Sequence, residues 1–410
     1  MSPEEARAVA TLRAPETIRE RCARLLSLAL RGALDEFEIR LDLLDGVVDR
    51  VVALTRARYP DLAVPYHSRW RHFDAGGVPR LARLDAALAT RGADEAARAR
   101  IDLAVVSVLL DAGAGPRWRY TDAAGHTLGR SEGLAVASLE LFLAGAFSSD
   151  PAAPLRADAA GLEALEPARL AAALQVREDN PLVGLEGRAA LLNSLGAALR
   201  ADPERFGADP PRPGGLLDAL RGEADGDRIP ARALLASLLE GLGSIWPGRV
   251  RIGDVNLGDV WPHPALSGPG LADRYVPFHK LSQWLAYSLF EPLEAAGLTV
   301  TGADELTALA EYRNAGLLLD AGVLVPRDPG ALERAHLPAA PIVVAWRALA
   351  VALVDRLAPV VRERLGVAPE EFPLARVLEG GTWAAGRAIA HERRPDGRPP
   401  LTIISDGTVF

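Results

Sequence analysis

The chain has 410 residues, enough for one large domain or two to three ordinary ones, and its 49% hydrophobic content supplies a sizeable core. A net charge of −8 and a pI near 5.5 argue against duplex nucleic acid or an anionic membrane as main partner. The single cysteine, Cys22, excludes intrachain disulfides and a Cys-rich metal site, and no run of about 18 apolar residues is present to span a bilayer. The opening MSPEEARAVATLRAPETIRERC is charged and lacks an apolar signal core, so a soluble cytoplasmic protein is expected.

Most of the chain predicts helix, because Ala- and Leu-rich segments repeat apolar residues near every 3.6 positions and alternating patterns are scarce. Residues 16–58 predict one or two amphipathic helices ending at Tyr59-Pro60, with Cys22 on the core face. The loop VPYHSRWRHFDAGG (64–77) interleaves rings and guanidiniums, a pattern suited to stacking and phosphate contact. Its candidate binding residues are His67, Arg69 and Trp70, and GPRWRYTDAAG repeats the pattern around Trp118. Residues 95–111 predict a fully buried helix, and 131–146 a second with Ser131 as N-cap. Further helices are expected over 186–199 and 230–243. Residues 201–230, rich in Pro, Gly and charge, predict an exposed loop or lobe boundary. The expected architecture is a mainly helical globular protein with a few short strands. It forms one domain over 1–410, with two lobes around a central pocket. The ending PPLTIISDGTVF, apolar and β-branched, predicts a docked strand.

All but one of the 46 basic residues are arginine, and the exception is Lys280 in DRYVPFHKLSQWLAYSLFEPL. Gln occurs only at Gln175 and Gln283, three residues after that lysine. The spacing predicts a helix from about Phe278 to Phe290, burying Leu281, Trp284, Leu285 and Leu289. Lys280 then falls in the first turn beside His279, where a positive charge opposes the helix dipole. That placement suits contact with an anion or a hydroxyl-rich ligand at the helix mouth; an exposed lysine is the plainer reading.

In ELTALAEYRNAGLLLDAGVLVPRD (305–328), Leu306, Ala310, Arg313 and Leu317 share one helical stripe. An arginine on an apolar stripe needs a partner, either a ligand or a structural acid such as Glu186 or Asp254. Glu311, Tyr312, Arg313 and Asn314 together suit a polyhydroxylated small molecule. GGTWAAGRAIAHERR (380–394) predicts a glycine entry to a helix capped by Thr382, whose N–H groups suit an anion, although the GK[ST] ending of a P-loop is absent. HExxH, G-x-S-x-G and G-x-G-x-x-G are absent, so neither metal nor cofactor is expected.

The segments PYHSRWRHFDAGG, RWRYTD, DNPLVGLEGRAALL, GDVWPH, VPFHKLSQWLAYSLFEPL, EYRNAGLLLDAGVL and LEGGTWAAGRAIA resemble the uracil catabolism protein 4 family, a domain family of unknown function (number 1688). The resemblance covers nearly the whole chain. It implies a place in a route from uracil through its ribonucleotide to a ribosylurea-type intermediate and urea. More distantly, the motif order is similar to that of the queuosine-salvage N-glycosidases and the helical DNA glycosylases, implying their helical fold. In those N-glycosidases a segment close to L-T-x-F-A-D-Y-R-x-P-Q carries the catalytic carboxylate. LTALAEYRNAG (306–316) aligns with it, with Glu311 in place of Asp and Asn314-Ala315 in place of Pro-Gln.

The two resemblances together imply N-ribosyl hydrolysis through an oxocarbenium-like state. Glu311 is the expected carboxylate, with His279 or Asp254 (or Asp259) protonating the leaving urea. Lys280 and Arg313 are expected to hold ribose or a 5′-phosphate, with Tyr312 and Asn314 beside them and Trp118 and Tyr275 closing the pocket. The expected partner is a small ribosyl or nucleotide-derived molecule, with a homodimer kept open. The alternatives are a non-catalytic sensor or scaffold of the same pathway and a metal-dependent amidohydrolase acting on the urea moiety.

Overall fold

Helices form where the apolar spacing calls for them and stop where glycine, proline or a left-handed residue intervenes. The computed structural model describes residues 1–246 and 249–404. In chain order its helices are α1 (Pro3–Arg13), α2 (Pro15–Leu30), α3 (Leu44–Arg58), α4 (Trp70–Phe73), α5 (Leu81–Leu88), α6 (Ala93–Leu109), α7 (Arg130–Leu143), α8 (Ala159–Glu163), α9 (Pro167–Ala173), α10 (Leu185–Ala201), α11 (Pro203–Phe206), α12 (Leu216–Glu223), α13 (Ala231–Leu242), α14 (Lys280–Ala295), α15 (Tyr312–Asp320), α16 (Pro341–Leu365), α17 (Leu374–Val377) and α18 (Trp383–Arg393). Among the described residues no strand exceeds three residues, and the strands occur as isolated pairs. The protein is mainly α, as its periodicity predicts.

The chain divides into two compact units. The first comprises Met1–His67, Gly248–Gln283 and Gly302–Ile404. Its central element is α16, whose residues Val343 to Val354 are all buried. Pro341 pre-sets the first turn, and Gly366, at φ +76, ends the helix in the left-handed conformation that glycine adopts without cost. α2, α3 and α15 pack against it. Ile18, Cys22 and Leu25 of α2 are fully buried, and each aliphatic side chain so placed contributes about 1.5–3 kcal/mol. Burial pushes the Cys22 thiol far above its ordinary range, so it is core rather than nucleophile. Two antiparallel strands, Val260–Pro262 and Tyr275–Pro277, lead the chain into α14.

The second unit comprises Ser68–Pro247 and Trp284–Thr301 among the described residues. The apolar run of α6 is buried throughout, as the sequence predicts, and so is Asp102 within it. That carboxylate accepts from Arg212 Nε at 2.9 Å and from the backbone N–H groups of Ala157 and Gly214 at 3.1 and 2.6 Å. A buried charge persists only with such partners.

Several local expectations change in the structure. Residues 201–230 hold α11, α12 and the buried turn Pro213–Gly215 packed on α6. Gly214 is required there, because a Cβ would come within 2.7 Å of the Arg98 carbonyl oxygen. Gly129, in extended conformation, is the N-cap of α7; Ser131 instead donates to Asp111 at 2.7 Å. α14 starts at Lys280 and continues through Pro292 to Ala295. The glycines of GGTW do not open a helix. They lie in a buried π-helical turn, Leu378–Thr382, that joins α17 to α18. A Cβ on Gly381 would come within 2.3 Å of Val51, so the glycines permit the close approach of α3. At the C-terminus Thr402–Ile403 pairs in parallel with Ala335–His336, and the remainder of the expected strand lies outside the described residues.

Candidate active site

Leu306, Ala310, Arg313 and Leu317 do not share one helix. The chain from Leu306 to Ala310 is non-helical, and α15 begins only after Glu311, its N-cap. Glu311 has extended backbone angles, and its two carboxylate oxygens accept from Arg313 N and Asn314 N, both at 2.6 Å. Glutamate is an unusual cap, since the shorter Ser, Thr, Asp and Asn reach these N–H groups more readily. The geometry fixes the carboxylate against the positive end of a helix. Burial raises its pKa; the two backbone hydrogen bonds, then the charges of Lys280 and His67, pull the other way without overcoming it. The result is a fixed, buried carboxylate with proton affinity above the ordinary.

Lys280 reaches this neighbourhood through a tight turn. His279 takes φ +46, a left-handed conformation uncommon outside glycine, and links the strand Tyr275–Pro277 to α14. Its Nε2 lies 2.8 Å from the Leu12 carbonyl oxygen, so it donates there, and burial lowers its pKa. His279, expected to protonate a leaving group, thus spends its Nε2 proton on a backbone carbonyl within the turn. Asp259 caps the same helix, accepting from Lys280 N at 3.0 Å. Arg347 donates to its two oxygens at 2.8 and 2.7 Å, and Trp261 Nε1 at 2.6 Å. Burial opposes ionisation of Asp259, but Arg347 outweighs it and holds the carboxyl well below the usual range. Asp254 sits in the exposed turn between the strands Arg251–Ile252 and Val255–Asn256.

Two struts tie Lys280 and Glu311 together. Arg347 donates from Nε to the Ala310 carbonyl at 3.0 Å while gripping Asp259, and its guanidinium lies 4.0 Å from the Phe278 ring centroid. Gln283 accepts from Thr307 N at 2.8 Å and donates to the Phe278 carbonyl at 2.9 Å. The second rare residue beside the lone lysine is thus a structural clamp. Sequence reasoning missed Arg347, although an arginine inside AWRALAVALV carries the same signal that singled out Arg313.

His67 enters from the loop after α3. Its Nδ1 lies 2.9 Å from Glu379 Oε2, in the π turn, and its ring centroid is 5.9 Å from that of Trp383. Arg313 finds neither Glu186 nor Asp254; it donates to the Gly397 carbonyl at 3.0 Å, and its guanidinium lies 4.9 Å from the half-buried Tyr312 ring. Among the described residues Asn314 Oδ1, Arg313 Nε and Thr382 Oγ1 are buried without hydrogen-bond partners. Buried polar atoms left without a partner are costly, and these three sit on or next to α15 and the π turn.

Other expected site residues have structural work. Trp118 is fully buried in the second unit and donates to the Leu174 carbonyl at 2.9 Å. Trp70 donates to the Ser288 carbonyl at 2.7 Å and stacks edge-on against Phe73. Arg69, also fully buried, binds Ser107, Ser131 and Asp111. Tyr275 belongs to a core cluster with Val9, Leu12 and Leu257. Among the described residues no group of three or more His, Cys, Asp or Glu is placed to hold a metal ion, and no helix is long and apolar enough to cross a membrane.

The fold and site therefore define a mainly helical protein with a capped, buried carboxylate within electrostatic reach of a lysine and a histidine. Residues 11–410 match the family described as "Protein of unknown function (DUF1688)", and the chain belongs to that family. It is 39% identical over 410 residues to "Protein urg3" of Schizosaccharomyces pombe, covering 98% of this chain and 99% of that one. It is 38% identical over 413 residues to "Uracil catabolism protein 4" of Lachancea kluyveri, covering 92% of this chain and 93% of that one.

Proposed function

We propose that this protein acts in uracil catabolism as an N-ribosyl hydrolase, cleaving the N-glycosidic bond of a ribosylurea-type intermediate, or its 5′-phosphate, to urea and the ribose sugar. The pathway rests on the name of a relative similar over nearly its whole length. The chemistry rests on one observation: Glu311 is buried, oriented by two backbone N–H groups, and under the charge of Lys280 and His67. It also stands where the distant resemblance to N-glycosidases puts the catalytic carboxylate.

Departure of urea leaves positive charge on the anomeric carbon and ring oxygen. A carboxylate held rigidly beside that carbon stabilises the charge without reorganising, and accepts a proton from the attacking water. The raised pKa favours that acceptance. Lys280, a compact ammonium at the start of α14, binds ribose hydroxyls or phosphate oxygens where a guanidinium fork is the wrong shape. Asn314 Oδ1, an acceptor lacking a partner, suits the N–H donors of a urea group.

The test is to incubate purified protein with ribosylurea and with its 5′-phosphate, measuring urea and free sugar for wild type and Glu311→Gln. Release by wild type and not by the variant supports the hydrolase. No release, with either compound still bound tightly, favours a sensor or scaffold of the same pathway.

A further inference from the structure

The proposed reaction needs a proton on the departing nitrogen, because urea leaves poorly as an anion. His279 is bonded to the Leu12 carbonyl, and Asp259 is locked in its ion pair. Among the described residues His67 is a buried acid–base group whose partner lies on the π turn packed against α15, and that partner is a residue that sequence reasoning left unused.

That residue is Glu379. Its side chain is 7% exposed and that of His67 4%, with Oε2 2.9 Å from Nδ1. Its other oxygen is occupied separately, accepting from Arg58 Nη2 at 3.1 Å and from Tyr59 OH at 3.3 Å. Glu379 is therefore braced from α3 and presents one oxygen to the imidazole. Its position depends on the π turn, which is wider than an α-helical turn and is a form frequently found at functional sites. Gly380 and Gly381 let that turn press against Thr55 and Val51 of α3. α18 then lies on α15 so closely that a Cβ on Gly386 would be 2.1 Å from the Arg313 carbonyl oxygen. The same packing thus brings the Glu379–His67 pair and the Glu311 cap onto neighbouring elements.

We propose that His67 is the general acid of this site and that Glu379 is its positioning residue. The inference rests on the N-ribosyl hydrolase reading. A carboxylate accepting from Nδ1–H fixes the ring so that Nε2 turns away from Glu379 and carries the proton to be delivered. In the first step the C1′–N bond breaks and its electron pair stays on nitrogen. The imidazolium Nε2–H protonates that nitrogen, and neutral urea departs. In the second step water adds to C1′, and its proton passes to Glu311. Transfer of that proton through solvent to His67 restores both groups, so the balance is ribosylurea plus water giving ribose plus urea. The 5′-phosphate follows the same balance.

The experiment measures kcat and KM of wild type, Glu379→Gln, Glu379→Asp and His67→Gln on ribosylurea and its 5′-phosphate. Each protein is also assayed on 4-nitrophenyl riboside, whose phenolate leaves without a proton. Glu379→Gln and His67→Gln are expected to lose about 100-fold in kcat on the urea substrate with KM nearly unchanged. They should retain most turnover of the aryl riboside, and Glu379→Asp should recover at least about a tenth of wild-type kcat. Equal losses on both leaving groups, or equal losses in the Asp and Gln variants, assign the pair a purely structural role and overturn the proposal. If wild type refuses the aryl riboside, the Asp-against-Gln comparison decides alone. Wild type that releases no urea overturns the hydrolase reading itself, an outcome separate from inactive variants beside an active wild type.

Discussion

Asp259 and Glu311 invite comparison because they occupy the same kind of place and behave in opposite ways. Both are acids of the first unit, and each accepts a backbone N–H at the start of a helix, Lys280 N in one case and Arg313 N and Asn314 N in the other. Burial opposes ionisation of both. Asp259 has Arg347 clamped across its two oxygens, and its pKa falls below the usual range. Glu311 has its cap bonds and the charges of Lys280 and His67, and its pKa rises. A helix start alone does not decide the character of a buried carboxylate; a contacting guanidinium holds one ionised, and burial without such a contact raises the proton affinity of the other.

The largest effect should separate the two by activity. Glu311→Gln is expected to lower kcat on ribosylurea about 1,000-fold or more, with about 1 kcal/mol lost from the cap. Steady-state assay beside thermal unfolding measures both, and an active variant would break the comparison. Asp259→Asn should act through stability, costing about 3–5 kcal/mol in chemical denaturation because it leaves Arg347 buried without its partner. The sign with pH follows from the depressed pKa. The contribution of Asp259 is fully present above the ordinary aspartate value near pH 4, and is lost as acidification proceeds toward its folded value. The gap between wild type and Asp259→Asn should therefore narrow as pH falls below about 4. Lys280→Arg should reduce kcat/KM about tenfold, or about 1.4 kcal/mol, and unchanged activity would remove its assigned role. Smallest of all, Trp118→Phe should cost about 1 kcal/mol through the lost bond to Leu174 and leave kcat/KM unchanged. A fall in kcat/KM there would return Trp118 to the pocket wall.

Part of the candidate site was legible before the structure. The lone Lys280 marked the start of α14, and LTALAEYRNAG marked Glu311. The run from Leu306 to Ala310 misled, because five apolar or small residues fit a helical stripe as well as an extended one. Gln283, through Thr307, and Arg347, through Ala310, hold that run outside the helix. His279 misled for a related reason. Residue type alone suggested acid–base work, but a left-handed backbone and the Leu12 carbonyl give it another task. Glu379 carried no sequence signal beyond its place in LEGGTW, since its contact with His67 is made across the fold.

The sequence by itself determined the mainly helical class, the buried faces of α6 and α14, and the core position of Cys22. Those follow from local apolar periodicity and need no knowledge of distant partners. Only the tertiary structure decided which buried acids meet an arginine and which do not. Asp259 meets Arg347 across 88 positions, and His67 meets Glu379 across 312. Charge and desolvation act through space over a few ångströms, so the character of a buried ionisable group is set by neighbours that chain order does not reveal.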